Sequence, residues 1–282
     1  MTKKQRAKLV IFVLVSVAII VTAVWQHLHP AEEPTGVQIE GDALVRLHED
    51  VESYTVPDGV SVIGSFSLSE HFSLQEITIP EGVKEIGGSA LWNCTNLKQV
   101  ELPATMQTLG ISVFADCIAL QTADLQMSNI RNLTDGTFGG CTSLTEVYLP
   151  SALQSISDRA FRECKSLKSL TLPDGIKTIG EEAFAECSVL FDIKLPAELQ
   201  TIGAQAFAGC SSLEEVAIPA GVTELPRWVF ADCTALRRAV IPATVRTIDD
   251  LAFQNCEKIA IVCEPGSAAE QFAIEHEILF EY

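Results

Sequence analysis

The sequence predicts an α/β repeat fold, in which short parallel strands stack into a solenoid behind one N-terminal apolar segment. Two observations lead to this expectation: cysteines that recur at an almost constant spacing, and an apolar run near the N-terminus that is long enough to cross a membrane. The composition adds limits, because 48% of the 282 residues are hydrophobic and the formal net charge is -18. Such a chain has the apolar content for a packed core and is not a disordered acidic protein. Its acidity also argues against nucleic acid as a partner, since phosphate binding depends on clustered basic residues.

The first element is the apolar run at residues 9–25, which follows a short basic segment. A helix of that length reaches about 26 Å, close to the hydrocarbon thickness of a bilayer. Because the positive charges lie on its N-terminal side, residues 1–8 should stay in the cytoplasm and the rest of the chain should be exported. We therefore expect residues 9–25 to form a transmembrane helix that acts as a single-pass signal anchor. A tether at residues 26–36 should follow it. The alternative is cleavage near Ala23, which would release a secreted protein.

The main feature of the chain is a repeat of about 23 residues. Eight cysteines are separated by 23 or 24 residues, with an aromatic or Leu three residues before each and Leu or Ile three residues after. A degenerate first copy has His71 at the cysteine position. This self-similarity indicates a solenoid, because one unit cannot bury its apolar face alone and must stack on its neighbours. The repeat cysteines are Cys94, Cys117, Cys141, Cys164, Cys187, Cys210, Cys233 and Cys256.

Each unit is predicted to hold one strand and one turn. The spacing of Leu167, Leu170 and Leu172 is typical of a short strand, and the proline that follows cannot donate to a ladder. The Ile-Gly-x-x-Ala-Phe stretch is too short for an α-helix of usual length, so we expect short 3₁₀-helical or α-helical turns on the other side. One unit has an extra residue within 126–136 and lacks its proline. We expect a bulging loop there.

These motifs resemble those of a known family. The Leu-x-x-Leu-x-Leu core is shared with leucine-rich repeats, and the 23-residue unit with Ala-Phe-x-x-Cys before the strand is similar to the BspA-like, treponemal-type repeats of bacterial surface proteins. The resemblance covers residues 56–282. It implies a leucine-rich-repeat solenoid with its N-terminal cap over residues 37–265 and a C-terminal cap over residues 266–282. It also implies a place at the cell surface and a role in adhesion or recognition.

The eight repeat cysteines are predicted to be free, buried thiols. Neighbours in the ladder would lie about 5 Å apart with parallel side chains, whereas a disulfide needs Cβ atoms about 3.8 Å apart. Ligands along one axis also cannot converge on a metal ion. Cys263 differs, because the 23-residue register places it at an outward strand position. It is either exposed there or buried by a slip of the register at the cap.

The outward side chains of the strands form the natural binding surface of a solenoid. We expect a contact patch where three acidic residues surround the aromatic side chain of Tyr148. The candidate ligand face comprises Glu101, Asp124, Glu146, Tyr148, Thr171 and Lys194.

A second candidate patch consists of Trp228 and Leu251, two apolar residues at the solvent-side position of neighbouring coils. The alternative is that these residues contact the C-terminal cap.

No sequence motif indicates catalysis, a cofactor or a metal site. The histidines lack metal-ligand spacing, and the chain has no phosphate-binding loop or nucleophile elbow. The sequence therefore predicts a membrane-tethered, extracytoplasmic leucine-rich-repeat domain that binds a protein or glycan ligand and is not an enzyme. The alternative is a structural cell-envelope protein that associates with copies of itself.

Overall fold

The computed structural model describes residues 36–282, which wind into a stack of coils. Each coil contributes one strand to a first sheet, and these strands lie parallel and in register, as shown by the pairing of Glu76 with Gln99 on adjacent strands. The expected parallel-strand solenoid is therefore confirmed. The strands of the first sheet are β3 (Ser53–Thr55), β5 (Glu76–Thr78), β7 (Gln99–Glu101), β9 (Thr122–Asp124), β11 (Glu146–Tyr148), β13 (Ser169–Leu170), β15 (Asp192–Ile193), β17 (Glu215–Ala217), β19 (Arg238–Val240) and β21 (Ala260–Val262).

Each coil also contains a second, two-residue strand that the sequence analysis did not anticipate. It ends at the Ile or Leu of the Ile-Gly motif, and it pairs in parallel with its neighbour, as Ile179 does with Ile202. A turn that begins at the repeat proline joins the two strands, as shown by the 3.0 Å bond from the Leu199 N–H to the Pro196 carbonyl. The strands of this second sheet are β4 (Val62–Ile63), β6 (Glu85–Ile86), β8 (Thr108–Leu109), β10 (Asn132–Leu133), β12 (Ser155–Ile156), β14 (Thr178–Ile179), β16 (Thr201–Ile202), β18 (Glu224–Leu225) and β20 (Thr247–Ile248).

The third side of each coil is a chain of turns, so the expected short helical turns are wrong. Residues two before and two after the Phe position adopt left-handed backbone angles in most coils, for example Ser89 and Asn93 with φ of 55° and 59°. A helix needs consecutive right-handed residues, and these angles interrupt it. Alternate N–H groups donate to the next coil instead, as Leu91 does to the carbonyl of Val113 at 3.0 Å. We call this side the turn side.

The interior contains a continuous stack of phenylalanine rings. From Phe114 to Phe253, neighbouring ring centroids lie 5.3 to 5.5 Å apart with interplanar angles of 5° to 19°. These distances are typical of offset stacking. The rings and the leucines of the strands form one apolar core that runs through all the described coils.

The repeat cysteines are free and buried, as predicted. Each thiol lies 3.0 to 3.3 Å from the backbone carbonyl at the Phe position of the preceding coil, as Cys187 does from Phe161. The thiol therefore donates a weak hydrogen bond across the coil boundary. Burial raises the pKa of the Cys187 thiol to about 12 and that of Cys256 to about 11. These thiols remain protonated and unreactive at neutral pH.

Different elements cover the two ends of the stack. At the N-terminal end, β1 (Val37–Glu40) pairs antiparallel with β2 (Ala43–Leu47), and β2 continues the second sheet. At the C-terminal end, α1 (Ala268–Glu275) is capped by Ser267, whose hydroxyl accepts a bond from the Glu270 N–H at 3.2 Å. Phe272 of α1 packs on Phe253 with centroids 6.0 Å apart. The final strand β22 (Leu279–Glu281) pairs in parallel with β21.

Cys263 is buried because the register slips before the C-terminal cap. Val240 pairs with Val262, and not with Cys263. The last coil therefore has one residue fewer than the others before its first-sheet strand. Cys263 thereby takes the next, inward position, and its N–H donates to the carbonyl of Glu281 at 3.0 Å. Of the two alternatives that the sequence left open, the slip is the one observed.

The extra residue of the irregular unit lies within residues 126–129, in the turn between β9 and β10. Ser128 closes this turn with a 2.7 Å bond to the Leu125 carbonyl, and Met127 is exposed. The segment is thus a turn enlarged by one residue. It involves fewer residues than the loop that was expected within 126–136. The second sheet is interrupted at this point, because β8 and β10 do not pair within the described part of the chain.

One coil boundary lacks pairing in both sheets. Along residues 36–282, no ladder joins β15 to β17 or β16 to β18. Pro226 stands where other coils have a residue whose N–H donates to the preceding coil, as Gly203 does to the Ile179 carbonyl at 2.8 Å. Bonds on the turn side still cross this boundary, including one of 2.9 Å from the Phe207 N–H to the Val229 carbonyl.

The expected membrane anchor and tether lie outside the described residues, apart from Gly36. Among residues 36–282, no helix has the length and apolarity needed to cross a bilayer.

We predict that the thiols are inaccessible in the folded protein. At pH 8 a thiol reagent should react with few or none of the cysteines, whereas all nine should react after denaturation without a reductant, because each is buried and unpaired. Spectrophotometric thiol counting checks this expectation. A count near one in the denatured, non-reduced protein would show disulfides and contradict it.

A second prediction concerns the phenylalanine stack. Phe184 is fully buried between two rings at 5.3 Å, so Phe184→Ala should lower the free energy of unfolding by about 3–5 kcal/mol. Urea denaturation followed by circular dichroism measures the change. Phe191→Ala is the matched control, because Phe191 lies seven residues later and is 55% exposed. An equal loss in both variants would mean that the stack does not stabilise the coils.

Candidate binding face

The strand face consists of the outward side chains of the first sheet. Residues alternate between the interior and the solvent along each strand, so every three-residue strand presents two side chains. The register pairs Glu101 with Asp124 and Asp124 with Tyr148. Glu146 pairs with Thr122 in the neighbouring row. The structure therefore brings the four residues of the expected contact patch together on three adjacent strands, about 5 Å apart from strand to strand.

Tyr148 is the aromatic residue of this patch, and 45% of it is exposed. Its hydroxyl donates to the Glu146 carboxylate at 3.2 Å. The charge of Glu146, that hydrogen bond and the more distant Asp124 raise the pKa of the Tyr148 hydroxyl, so it stays a neutral donor. Asp124 is half-buried and accepts a 2.9 Å bond from the Gln126 N–H. The tyrosine ring is thereby held at the edge of an acidic surface.

Thr171 and Lys194 are exposed, but they do not continue the same ladder. Thr171 directly follows β13, and Lys194 directly follows β15. Within the described residues, β11 has no ladder to β13, and β15 has none to β17. The structure thus divides the expected ligand face into an acidic part up to Tyr148 and a later part that carries Thr171 and Lys194.

Two grooves lie where the first sheet is interrupted. The groove at the end of β11 has a volume of about 600 Å³ and is lined by Tyr148, Leu149 and Thr171, among others. The groove between β15 and β17 has a volume of about 650 Å³ and includes Phe191 and Lys194. Grooves of this size can accept side chains of a partner.

Phe191 is an exposed residue of the strand face that the sequence analysis missed. It is an exposed aromatic residue beside the second groove. The signal was available, because equivalent positions in nearby units carry Gln121, Thr145 and Lys168. An aromatic residue in an otherwise polar outward column is a candidate contact residue.

The second candidate patch is not a fully exposed apolar pair. Trp228 and Leu251 are both half-buried. The Trp228 indole donates to the Gln254 side chain at 2.7 Å, and the Arg227 guanidinium lies 3.9 Å from the ring centroid. Leu251 lines a groove together with Phe272 of α1. For Leu251 the placement agrees with the alternative of contact with the C-terminal cap.

The titratable side chains do not form a metal centre in the described structure. Within residues 36–282, no group of three or more His, Cys, Asp or Glu side chains is arranged to hold an ion. Nothing in that part of the chain indicates catalysis.

Solved structures share this fold. A leucine-rich repeat protein from Eubacterium ventriosum matches with 26% identity and a TM-score of 0.57 over 62% of this chain, and this chain spans only 50% of that protein. The leucine-rich repeat protein of T. pallidum matches with 22% identity and a TM-score of 0.51, covering 89% of this chain and 98% of the other. No curated protein sequence matches the chain.

The repeat pattern also matches a sequence family, described as the BspA type leucine rich repeat region. Six copies are found, in two overlapping matches over residues 47–153 and 131–260. These matches cover most of the chain and include the acidic strands, both grooves and the cysteine ladder. The chain belongs to the BspA-type leucine-rich repeat family.

Proposed function

We propose that this protein is a membrane-tethered, extracytoplasmic recognition module that binds a partner protein on its strand face. The observation that carries the proposal is the row formed by Glu101, Asp124 and Tyr148 on adjacent strands, which displays an exposed aromatic residue beside carboxylates. Family membership supports a non-enzymatic binding role at a surface. A glycan ligand is the alternative occupant of the same face.

The scaffold is suited to recognition because it holds the face in place before a partner arrives. Stacked rings, cross-coil hydrogen bonds and parallel ladders fix the positions of the outward side chains. Binding to such a surface loses little conformational entropy in the protein itself, so weak contacts distributed along the face can add up to useful affinity. Tyrosine provides contact area with only two rotatable angles.

The location of the protein belongs to the same proposal. The apolar run at residues 9–25 with basic residues before it supports a single-pass anchor with a cytoplasmic N-terminus. The acidic repeats would then stand on the outer side of the membrane. Cleavage near Ala23 would release the same module.

We expect photo-crosslinking to identify the binding face. A photoreactive phenylalanine at position 148 of the full chain should give adducts with a partner in intact cells, while the same group at the turn-side position of Arg159 should not. Both positions are exposed and the second lies in the following turn. Adducts are identified by mass spectrometry. Equal adducts at both positions would contradict the proposal, and adducts between two copies of this chain would favour the structural alternative.

The anchor has a separate test. The mature protein should fractionate with membranes and retain residues 9–25, as determined by peptide mapping. A mature N-terminus at Val24 in the medium would instead establish release.

A further inference from the structure

The groove between β11 and β13 is lined in part by the inward apolar residues Val147, Leu149 and Leu170. It has a volume of about 600 Å³. In the two preceding coils, the inward residues of the first sheet, such as Val100 and Ala123, are almost completely buried. Val147 and Leu149 are only partly buried, and both line the groove. These two side chains therefore give the groove an apolar floor that a partner side chain can cover.

The rim of this groove is acidic toward the N-terminal coils. Glu146 and Tyr148 border the groove, and Asp124, Glu101 and Glu76 follow on the three preceding strands. All of these side chains point to the same face, because they occupy outward positions of parallel strands.

No cation of the described chain neutralises this rim. The ion pairs within residues 36–282 all join side chains between Arg159 and Glu281. Lys98 lies at the margin of the same sheet, but its ammonium donates to the Gln75 side chain at 2.7 Å. The carboxylates beside the groove are therefore available to a positively charged partner.

We propose that this groove binds an extended, positively charged segment of a partner protein and takes one apolar side chain of that segment beside Tyr148. The inference rests on the proposed function of the strand face and adds the chemistry of the partner. The apolar floor selects the anchoring side chain, and the unpaired carboxylates select flanking Lys or Arg residues. The exposed Tyr148 ring also offers its face to such a cation.

The negative charge of the rim favours a basic segment over an acidic or neutral partner. An acidic protein or a nucleic acid would meet four like charges at Glu76, Glu101, Asp124 and Glu146, and a neutral partner would gain nothing from them. A basic segment is attracted over a distance of about 10 Å at 0.1 M salt, so its binding should weaken as salt is added.

The groove between β15 and β17 does not favour a positively charged partner in the same way. Lys194 and Arg238 lie there together with Asp192 and Glu215, so its charges are mixed. Arg238 is also 3.7 Å from the Glu281 carboxylate. The acidic groove beside Tyr148 is thus the one with a defined electrostatic preference.

A peptide titration tests the inference on the full chain in detergent. The probe is a fluorescent Gly-Lys-Lys-Leu-Lys-Lys-Gly peptide, with one control in which Gly replaces Leu and another in which Glu replaces each Lys. The test variant combines Glu101→Gln, Asp124→Asn and Glu146→Gln. The matched variant combines Glu70→Gln, Glu186→Gln and Asp232→Asn, three exposed turn-side positions with the same loss of charge.

At 50 mM salt, fluorescence anisotropy should show that the test variant binds the Leu peptide at least tenfold more weakly than the wild type, while the matched variant stays within twofold. The Gly peptide should bind the wild type at least fivefold more weakly, and the Glu peptide should not bind. Equal losses in both variants, no effect of the Leu residue, or no binding of the Leu peptide would overturn the inference. Partner adducts at position 148 together with any of these results would leave the proposed function intact and refute only the cationic partner.

Discussion

Every coil of this solenoid must place its interior side chains directly over those of the coil before it. A single 23-residue unit has too little interior to bury its own apolar face, so the core exists only between units. The stacking of phenylalanine rings at 5.3 to 5.5 Å is the clearest expression of that constraint. The small thiol beside each ring fits the same spacing and satisfies a carbonyl of the previous coil. Between two phenylalanine-bearing coils, a larger residue at that position would overpack the core and lower the stability of the stack.

The strand face is a consequence of this register and of its interruptions. Where the ladders are continuous, as from β5 to β11, outward side chains form closely spaced rows. Where the ladder ends beside Tyr148, the same sheet becomes a groove with apolar walls. Regular stacking thus supplies the arrangement of charges, and the groove beside Tyr148 places partly buried apolar side chains next to them.

The amino-acid pattern was sufficient for the first sheet, the buried thiols and the rows of outward residues, because each follows from a fixed spacing of apolar positions. It was insufficient for the second sheet, since a two-residue strand such as Thr178–Ile179 leaves no alternation to detect. The turn side was misread as helical because the left-handed angles fall also on residues such as Glu182 and Gln205, whose local propensity does not indicate them. The groove beside Tyr148 was also invisible. The residues on both sides of it fit the repeat consensus, and the separation of the two strands is a property of three-dimensional packing.

The boundary between β15 and β17 has a mechanical meaning. Both sheets lack ladders there along the described chain, so the two blocks of coils are joined by the phenylalanine stack and by hydrogen bonds on the turn side. Because fewer backbone hydrogen bonds cross this boundary, we expect it to bend more easily than the others, with the turn side as the pivot and the strand face as the side that opens. A protein that is held at one end and pulled by a bound partner at the other would yield first at this position. Each of the two blocks would keep its own part of the strand face in a fixed arrangement while the angle between them changed.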